Sequence, residues 1–327
     1  MNEETMKKIT KNGFKIVVKP GKSFYFIGVT TTKSSIMKLF PLWMDELGFS
    51  DIKIYPYDLK IHDIHSNYRQ AVAQIKYDEG CYGALVTTHK MDLYSASKDM
   101  FNYLDQYALL LHEVSCISKR NGHLEGYAKD PLSAGASYDN FIEKGYYRKT
   151  GAHVLIFGAG GSSIATILHL INKKEKEDRP EKIIIINRSQ PRLDHIKELL
   201  KKVKTDINIE TICSIDAKLN DKIMESLPDF SIVINATGMG KDTPGSPVTD
   251  DGLFPKMGWA WEFNYRGELD FMYQAKKQLS SRGVKVEDGW IYFIHGWTQV
   301  IFQALNIELT SEIFNRLKKV ADSIREK

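Results

Sequence analysis

The 327 residues carry 45 basic and 41 acidic side chains, a formal net charge of +4, with 43% hydrophobic and 26% charged residues. That balance is ordinary for a globular chain; it argues against long disorder and fibrous structure and, with no basic tract interleaved with aromatics, against a nucleic-acid partner. The length corresponds to about two domains of ~150 residues, enough for buried cores and a cleft. The small positive excess suits an anionic small molecule and equally an ordinary solvated surface.

No stretch approaches ~18 consecutive apolar residues, and the opening MNEETMKKITKNGFK has no apolar segment, so neither a membrane span nor a signal peptide is expected. Cys81, Cys116 and Cys213 lie far apart, without CxxC or Cys/His spacing. Neither a disulfide framework nor a metal site is indicated, and the expected compartment is a reducing cytoplasm.

In chain order, Phe14 to Val18 and Phe24 to Val29 read as strands divided by a turn at Pro20 and Gly21. Helical spacing follows over Ile36 to Leu47, then a strand Ile52 to Tyr55, a helix Tyr68 to Ile75, a strand Gly83 to Thr87 and a helix Phe101 to Leu111. This alternation implies a parallel sheet. Glu113 to Ser118 and His123 to Tyr127, joined across Arg120, Asn121 and Gly122, read as a hairpin leading into Asp130. From His153 the units become regular: strand His153 to Phe157, helix Ser162 to Ile171, strand Lys182 to Ile186, helix Arg192 to Val203, strand Ile207 to Ile212. That succession is of Rossmann type. Strands Ser231 to Ile234, Trp259 to Phe263 and Val284 to Val286 extend it, and Trp290 to Leu305 and Ser311 to Ile324 read as closing helices that return to the first domain. The charge run Lys173 to Glu181 reads as a solvated helix end.

The richest chemistry sits at Gly158, Ala159, Gly160, Gly161 and Ser162, after an apolar strand and before a helix. Backbone without Cβ can approach a pyrophosphate there, and the helix N-terminus offers free N–H groups to its charge. Ser163 stands where a third glycine or alanine is usual; a turn that merely permits tight packing is the plainer alternative. At the end of the second strand, Asn187, Arg188 and Ser189 place a cation where an NAD enzyme would place an acid. With Arg192 nearby the inference is NADP in preference to NAD. Asn235, Ala236, Thr237 and Gly238 follow the next strand and supply small residues to border the ribose and nicotinamide.

With these elements in order, the chain resembles the shikimate/quinate dehydrogenase family from about residue 24 on. The resemblance implies an α/β protein: an N-terminal substrate domain over residues 1–132, with 288–327 packing back on it, and a doubly wound NADP-binding domain over 133–287. The family segment carrying the catalytic lysine looks like Leu85 to Lys90 (LVTTHK), which makes Lys90 the acid/base residue, and the family's second catalytic position falls on Asp130. The alternatives are a surface lysine at a helix start and a cap before Pro131. Substrate contacts implied by the resemblance are Lys33, Ser34, Ser35, Thr87, Ser115, Tyr265 and Gln299. Leu85, Ser115 and Gly296 depart from the family pattern, with His89 and His295 able to refill the polar lining or to be structural. The expected activity is NADP-linked interconversion of a hydroxyl and a ketone on a carboxylated ring or polyol, shikimate or quinate first. The same chemistry on another hydroxy acid and a non-catalytic NADP-sensing module are the alternatives. A monomer or homodimer is expected.

Overall fold

The computed structural model describes residues 7–325 except Asp242. The chain divides into two compact units, one made of the residues up to Lys129 together with those from Gly296 on, the other of Asp130–His295.

The first unit contains β1 (Lys7–Lys11), β2 (Phe14–Val18), β3 (Lys22–Gly28), α1 (Ile36–Leu47), β4 (Ile52–Asp58), α2 (His65–Tyr77), β5 (Cys81–Val86), α3 (Lys90–Ser97), β6 (Tyr103–Leu104), α4 (Gln106–Leu111), β7 (Cys116–Arg120) and β8 (His123–Tyr127). Its main sheet has the order β4-β3-β5-β7-β8-β6. The expected parallel arrangement holds for three strands of this sheet, and the expected hairpin joins them antiparallel. β4, β3 and β5 are parallel, but β7 runs antiparallel to β5, with Cys116 opposite Leu85. The connection from β5 to β7 thus begins and ends at one end of the sheet, and no crossover is made. The β7–β8 hairpin turns at Asn121 and Gly122, both at positive φ.

Two expectations change. The polar start contains β1, which pairs with β2 through a two-residue turn at Asn12 and Gly13, at φ +50° and +82°. Gln74 of α2 holds β2 from the other side, accepting from Val17 N–H at 2.9 Å and donating to its carbonyl at 2.8 Å. The helix expected over Phe101 to Leu111 is divided instead: Tyr103 and Leu104 pair with β8, and the helix starts at Gln106. Asp105 explains the break, because its carboxylate accepts from Ala108 N–H at 2.7 Å as an N-cap and from Ala128 N–H at 3.1 Å. Ile27, Tyr68, Val72, Ile75, Val86 and Ile117 are fully buried in this unit's core.

The second unit contains α5 (Asp130–Phe141), α6 (Tyr146–Thr150), β9 (Val154–Phe157), α7 (Gly161–Asn172), β10 (Lys182–Asn187), α8 (Gln190–Lys202), β11 (Asn208–Cys213), α9 (Ala217–Glu225), β12 (Ile232–Asn235), β13 (Trp259–Glu262), α10 (Asp270–Lys276), α11 (Leu279–Arg282) and β14 (Lys285–Glu287). All six strands are parallel in the order β11-β10-β9-β12-β13-β14. The strand order reverses between β9 and β12, so their C-terminal ends border a crevice where α/β sheets bind ligands. β10 carries four consecutive isoleucines, all buried, as a strand covered on both faces requires.

α12 (Trp290–Leu305) crosses the division at Gly296, and α13 (Ser311–Ile324) packs on α1. The Trp43 indole N–H donates to Leu317 O at 2.8 Å, and Arg316 pairs with Glu46 at 2.8 Å. The last helix therefore returns to the first unit, as the sequence implied. Among the described residues, no helix is long and apolar enough to cross a membrane.

Candidate active site

The glycine loop stands at the C-terminal end of β9. Gly158 has φ +109°, and a Cβ there would lie 2.6 Å from Ala236 O and 2.9 Å from Ala236 C. Only glycine fits, on conformation and on space. Gly160 differs: no described heavy atom lies within 4 Å of where its Cβ would be. It precedes α7, whose first-turn N–H groups are the positive end of the helix. Ser163, the departure from the usual pattern, is fully buried and donates to Gly158 O at 2.9 Å, tying helix to loop.

A cavity of about 490 Å³ opens beside this loop. Gly158, Ala159 and Gly160 line it with Asn187, Arg188, Arg192, Ala236, Thr237 and Gly238. The structure thus brings together nine of the residues singled out as dinucleotide contacts. Gly161 and Ser162 open α7, Ser189 directly precedes α8, and Asn235 is buried beneath the loop. Asn187, half-buried, donates to Ser189 O at 3.2 Å, while Arg188 and Arg192 are exposed. Phe157, Ile186 and Met239 also line it, as do Ser214, Ile215, Ala217, Asn220, Thr243, Ser246 and Pro247, which were missed from sequence. The signal for Ser214 and Ile215 is their place just past β11, at the same end of the sheet. Ile215 is 85% exposed, an apolar side chain offered at the mouth. Cys213 is also exposed there, its thiol donating to Arg188 O at 3.7 Å; Cys81 and Cys116 are buried, and burial pushes both thiols up to about 12.

In the first unit, Lys90 is the first residue of α3, half-buried, and its carbonyl accepts from Val114 N–H at 3.1 Å. The segment before it is tightly held. Thr88 has φ +24°, uncommon for a β-branched residue, and His89 is buried with Nε2 3.1 Å from Gly28 O and Nδ1 3.3 Å from the Tyr68 hydroxyl. These contacts assign His89 to fixing the Lys90 segment. Thr87 donates its N–H to Ile27 O at 3.0 Å. Ser115 is buried, its hydroxyl accepting from Lys129 N–H at 2.7 Å. Lys33 is exposed at the end of a short 3-10 turn, with Ser34 and Ser35 leading into α1. Gln299 lines a separate cavity of about 360 Å³ with Arg120, Lys129 and Gln303. Lys129 is buried, donates to Gln303 Oε1 at 2.6 Å, and has its pKa lowered by that burial.

In the second unit Asp130 opens α5, followed by Pro131 in the first turn, where a missing N–H costs nothing. Tyr265 packs against Trp290 and Phe293, ring centroids 5.5 and 4.9 Å away. His295 is buried, and burial lowers its pKa to about 4, so it is neutral at neutral pH.

No protein-family model matches the chain. It is 29% identical over 164 residues to the shikimate dehydrogenase (NADP(+)) of Nitrosopumilus maritimus, covering 48% of this chain and 53% of the relative. It is 31% identical over 179 residues to the enzyme of the same name from Methanosphaera stadtmanae, covering 54% and 57%. The matches span about half the length of these curated relatives. Among solved structures, quinate dehydrogenase from Corynebacterium glutamicum, in complex with NAD, superposes with a TM-score of 0.70 at 17% identity over 93% of this chain and 99% of that one. The fold is that of the shikimate and quinate dehydrogenases. The shikimate dehydrogenase fold also serves the 5-ketofructose reductase of a Gluconobacter strain, which superposes with a TM-score of 0.66 at 20% identity over 94% and 99% of the two chains.

Proposed function

We propose that this chain is an NADP-dependent oxidoreductase of the shikimate dehydrogenase type, acting on a secondary hydroxyl of a carboxylated ring or polyol. The carrying observation is the end of β10. Asn187 ends the strand where an NAD enzyme offers an acid, and Arg188 and Arg192 line the same cavity with the charge to meet a 2′-phosphate. The names of the curated relatives agree with that choice.

Bound NADP supplies the hydride acceptor at its nicotinamide. Lys90, entering as the neutral amine, would take the hydroxyl proton from the substrate oxygen and, as the ammonium so formed, would return it in the reverse direction. Asp130, the second position that the family resemblance implies, is assigned with it as the carboxylate of an acid/base pair. The cofactor assignment is tested by titrating NADPH and NADH against wild type and Arg188→Ala. Loss of one charge-assisted contact, about 1.5–3 kcal/mol, weakens NADPH about ten- to a hundredfold and leaves NADH unchanged. An unaltered preference would contradict the 2′-phosphate role.

A second reading keeps this chemistry on a different hydroxy acid. It is favoured by Ser115, whose hydroxyl is engaged with backbone, and by Leu85, which offers no polar group. NADP-linked turnover of shikimate or quinate supports the first reading. Turnover confined to other acids in the panel supports the second, and NADPH binding with no turnover on any hydroxy or keto acid supports a sensing module.

A further inference from the structure

Beneath the Asn235 to Met239 loop lies a carboxyl to which the proposed chemistry gives no task. Glu262 ends β13 with no solvent exposure. Its Oε2 accepts from Asn235 Nδ2 at 2.6 Å, and its Oε1 accepts from Asn264 N–H at 2.8 Å and Asn264 Nδ2 at 2.6 Å. Asn264 Nδ2 also donates to Thr237 O at 3.2 Å and Met239 O at 3.4 Å. On the far side of Asn235, Oδ1 accepts from Thr237 N–H at 3.1 Å and from its hydroxyl at 2.6 Å, and that hydroxyl accepts from Met239 N–H at 3.2 Å. Ala236, between them, is the residue whose carbonyl presses on Gly158.

The polarity of this chain of bonds is fixed from one end. A backbone N–H can only donate, so Asn235 must turn its oxygen to Thr237 and its NH2 to Glu262. Glu262 must then accept. Oε1 already takes two N–H groups, so a proton on the carboxyl resides on Oε2 and meets the Asn235 donor. In a fully buried site one of the two loses its partner, or Asn235 turns over and Thr237 N–H loses its acceptor. Burial raises the Glu262 pKa to about 7 against the pull of those donors. Asp288, just past β14, is a like charge that adds to the rise; Glu287 lies one position off, in register with Trp261, and the facing Asn235 and Asn264 are neutral.

We propose that Glu262 is a positioning residue for the dinucleotide loop: its carboxylate sets the orientation of the Asn235 amide and thereby the Thr237 to Met239 turn, so that protonation loosens dinucleotide binding. The proposal rests on the dinucleotide reading of the cavity.

The test measures NADPH affinity at pH 6 and pH 8 for wild type, Glu262→Gln and the double variant Glu262→Gln with Asn235→Asp. Glutamine presents an NH2 where the carboxylate accepted, imitating the protonated form. The aspartate restores an acceptor to face it while still accepting from Thr237. Wild-type affinity should fall about tenfold from pH 8 to pH 6, the scale of one hydrogen bond, beyond any change in Glu262→Gln. The single variant should sit at the weak level at both pH values, and the double variant should recover the strong level without the pH step. Equal affinities for wild type and Glu262→Gln at pH 8, or no recovery in the double variant, would overturn the proposal.

A second readout needs no ligand. A carboxyl whose folded pKa lies above its unfolded value of 4.5 binds more protons when folded across that window. Stability therefore falls as pH rises from 4.5 to about 7. The urea midpoint of wild type should fall relative to Glu262→Gln over that range. If it does while wild type binds no NADPH at either pH, the dinucleotide reading has failed rather than the titration of Glu262; a flat difference overturns the titration itself.

Discussion

Lys90→Ala is expected to lower turnover by about two to four orders of magnitude, the usual scale for loss of a general acid/base, while NADPH affinity stays within a factor of two. The plain alternative, a lysine that merely begins a helix, makes the opposite prediction. Lys90 is half-buried and its carbonyl bond to Val114 N–H survives the substitution, so the variant should still fold. Lys90→Arg should not rescue, because a guanidinium does not give up its proton at any accessible pH. The measurements are steady-state rates on whichever hydroxy acid the panel returns, NADPH titration by fluorescence, and a urea midpoint. A variant that keeps more than about a tenth of wild-type turnover removes Lys90 from the chemistry.

The second large effect concerns the two glycines that look alike in sequence and differ in space. Gly158→Val puts a branched side chain at φ +109° and onto Ala236 O, both backbone features that cannot swing aside. Strain of about 1–3 kcal/mol is expected together with a displaced Asn235 to Met239 loop, so NADPH binding should be lost by a hundredfold or more. Gly160→Ala is the informative partner. Its φ is −97°, ordinary for any residue, and nothing described stands within 4 Å of the added carbon. The protein itself therefore has no use for a glycine there. Unchanged stability with weakened NADPH binding would mean that the space belongs to the ligand; unchanged affinity would mean that no phosphate comes close.

The dinucleotide half was legible because its signals are backbone signals in continuous stretches. The buried run of β10, the glycines after β9 and the cation at Arg188 each declare themselves within a few residues of sequence. The order β11-β10-β9-β12-β13-β14 follows once crossovers are right-handed. The first unit was harder to read. β1 is made of lysines, threonine and one isoleucine, and its NG turn was the available sign. Phe101 to Leu111 carries apolar residues at helical spacing, yet Asp105 is a cap in the middle of it. α5 escaped notice because its Ser, Ala and Gly residues make no apolar stripe; Gly135 instead permits contact with His169 of α7, 2.3 Å from the Cβ it lacks. The network under the dinucleotide loop was not legible at all. Asn235, Glu262 and Asn264 stand at the ends of two strands, and their pairing depends on register across β12 and β13.

Cys213 gives the molecule a practical property. It is exposed and adjoins Arg188 at the cavity mouth, whereas the other two thiols are buried, with their pKa values pushed up to about 12 by that burial. An alkylating dye therefore finds a single attachment point in the unaltered chain, beside the cavity whose occupancy it would report.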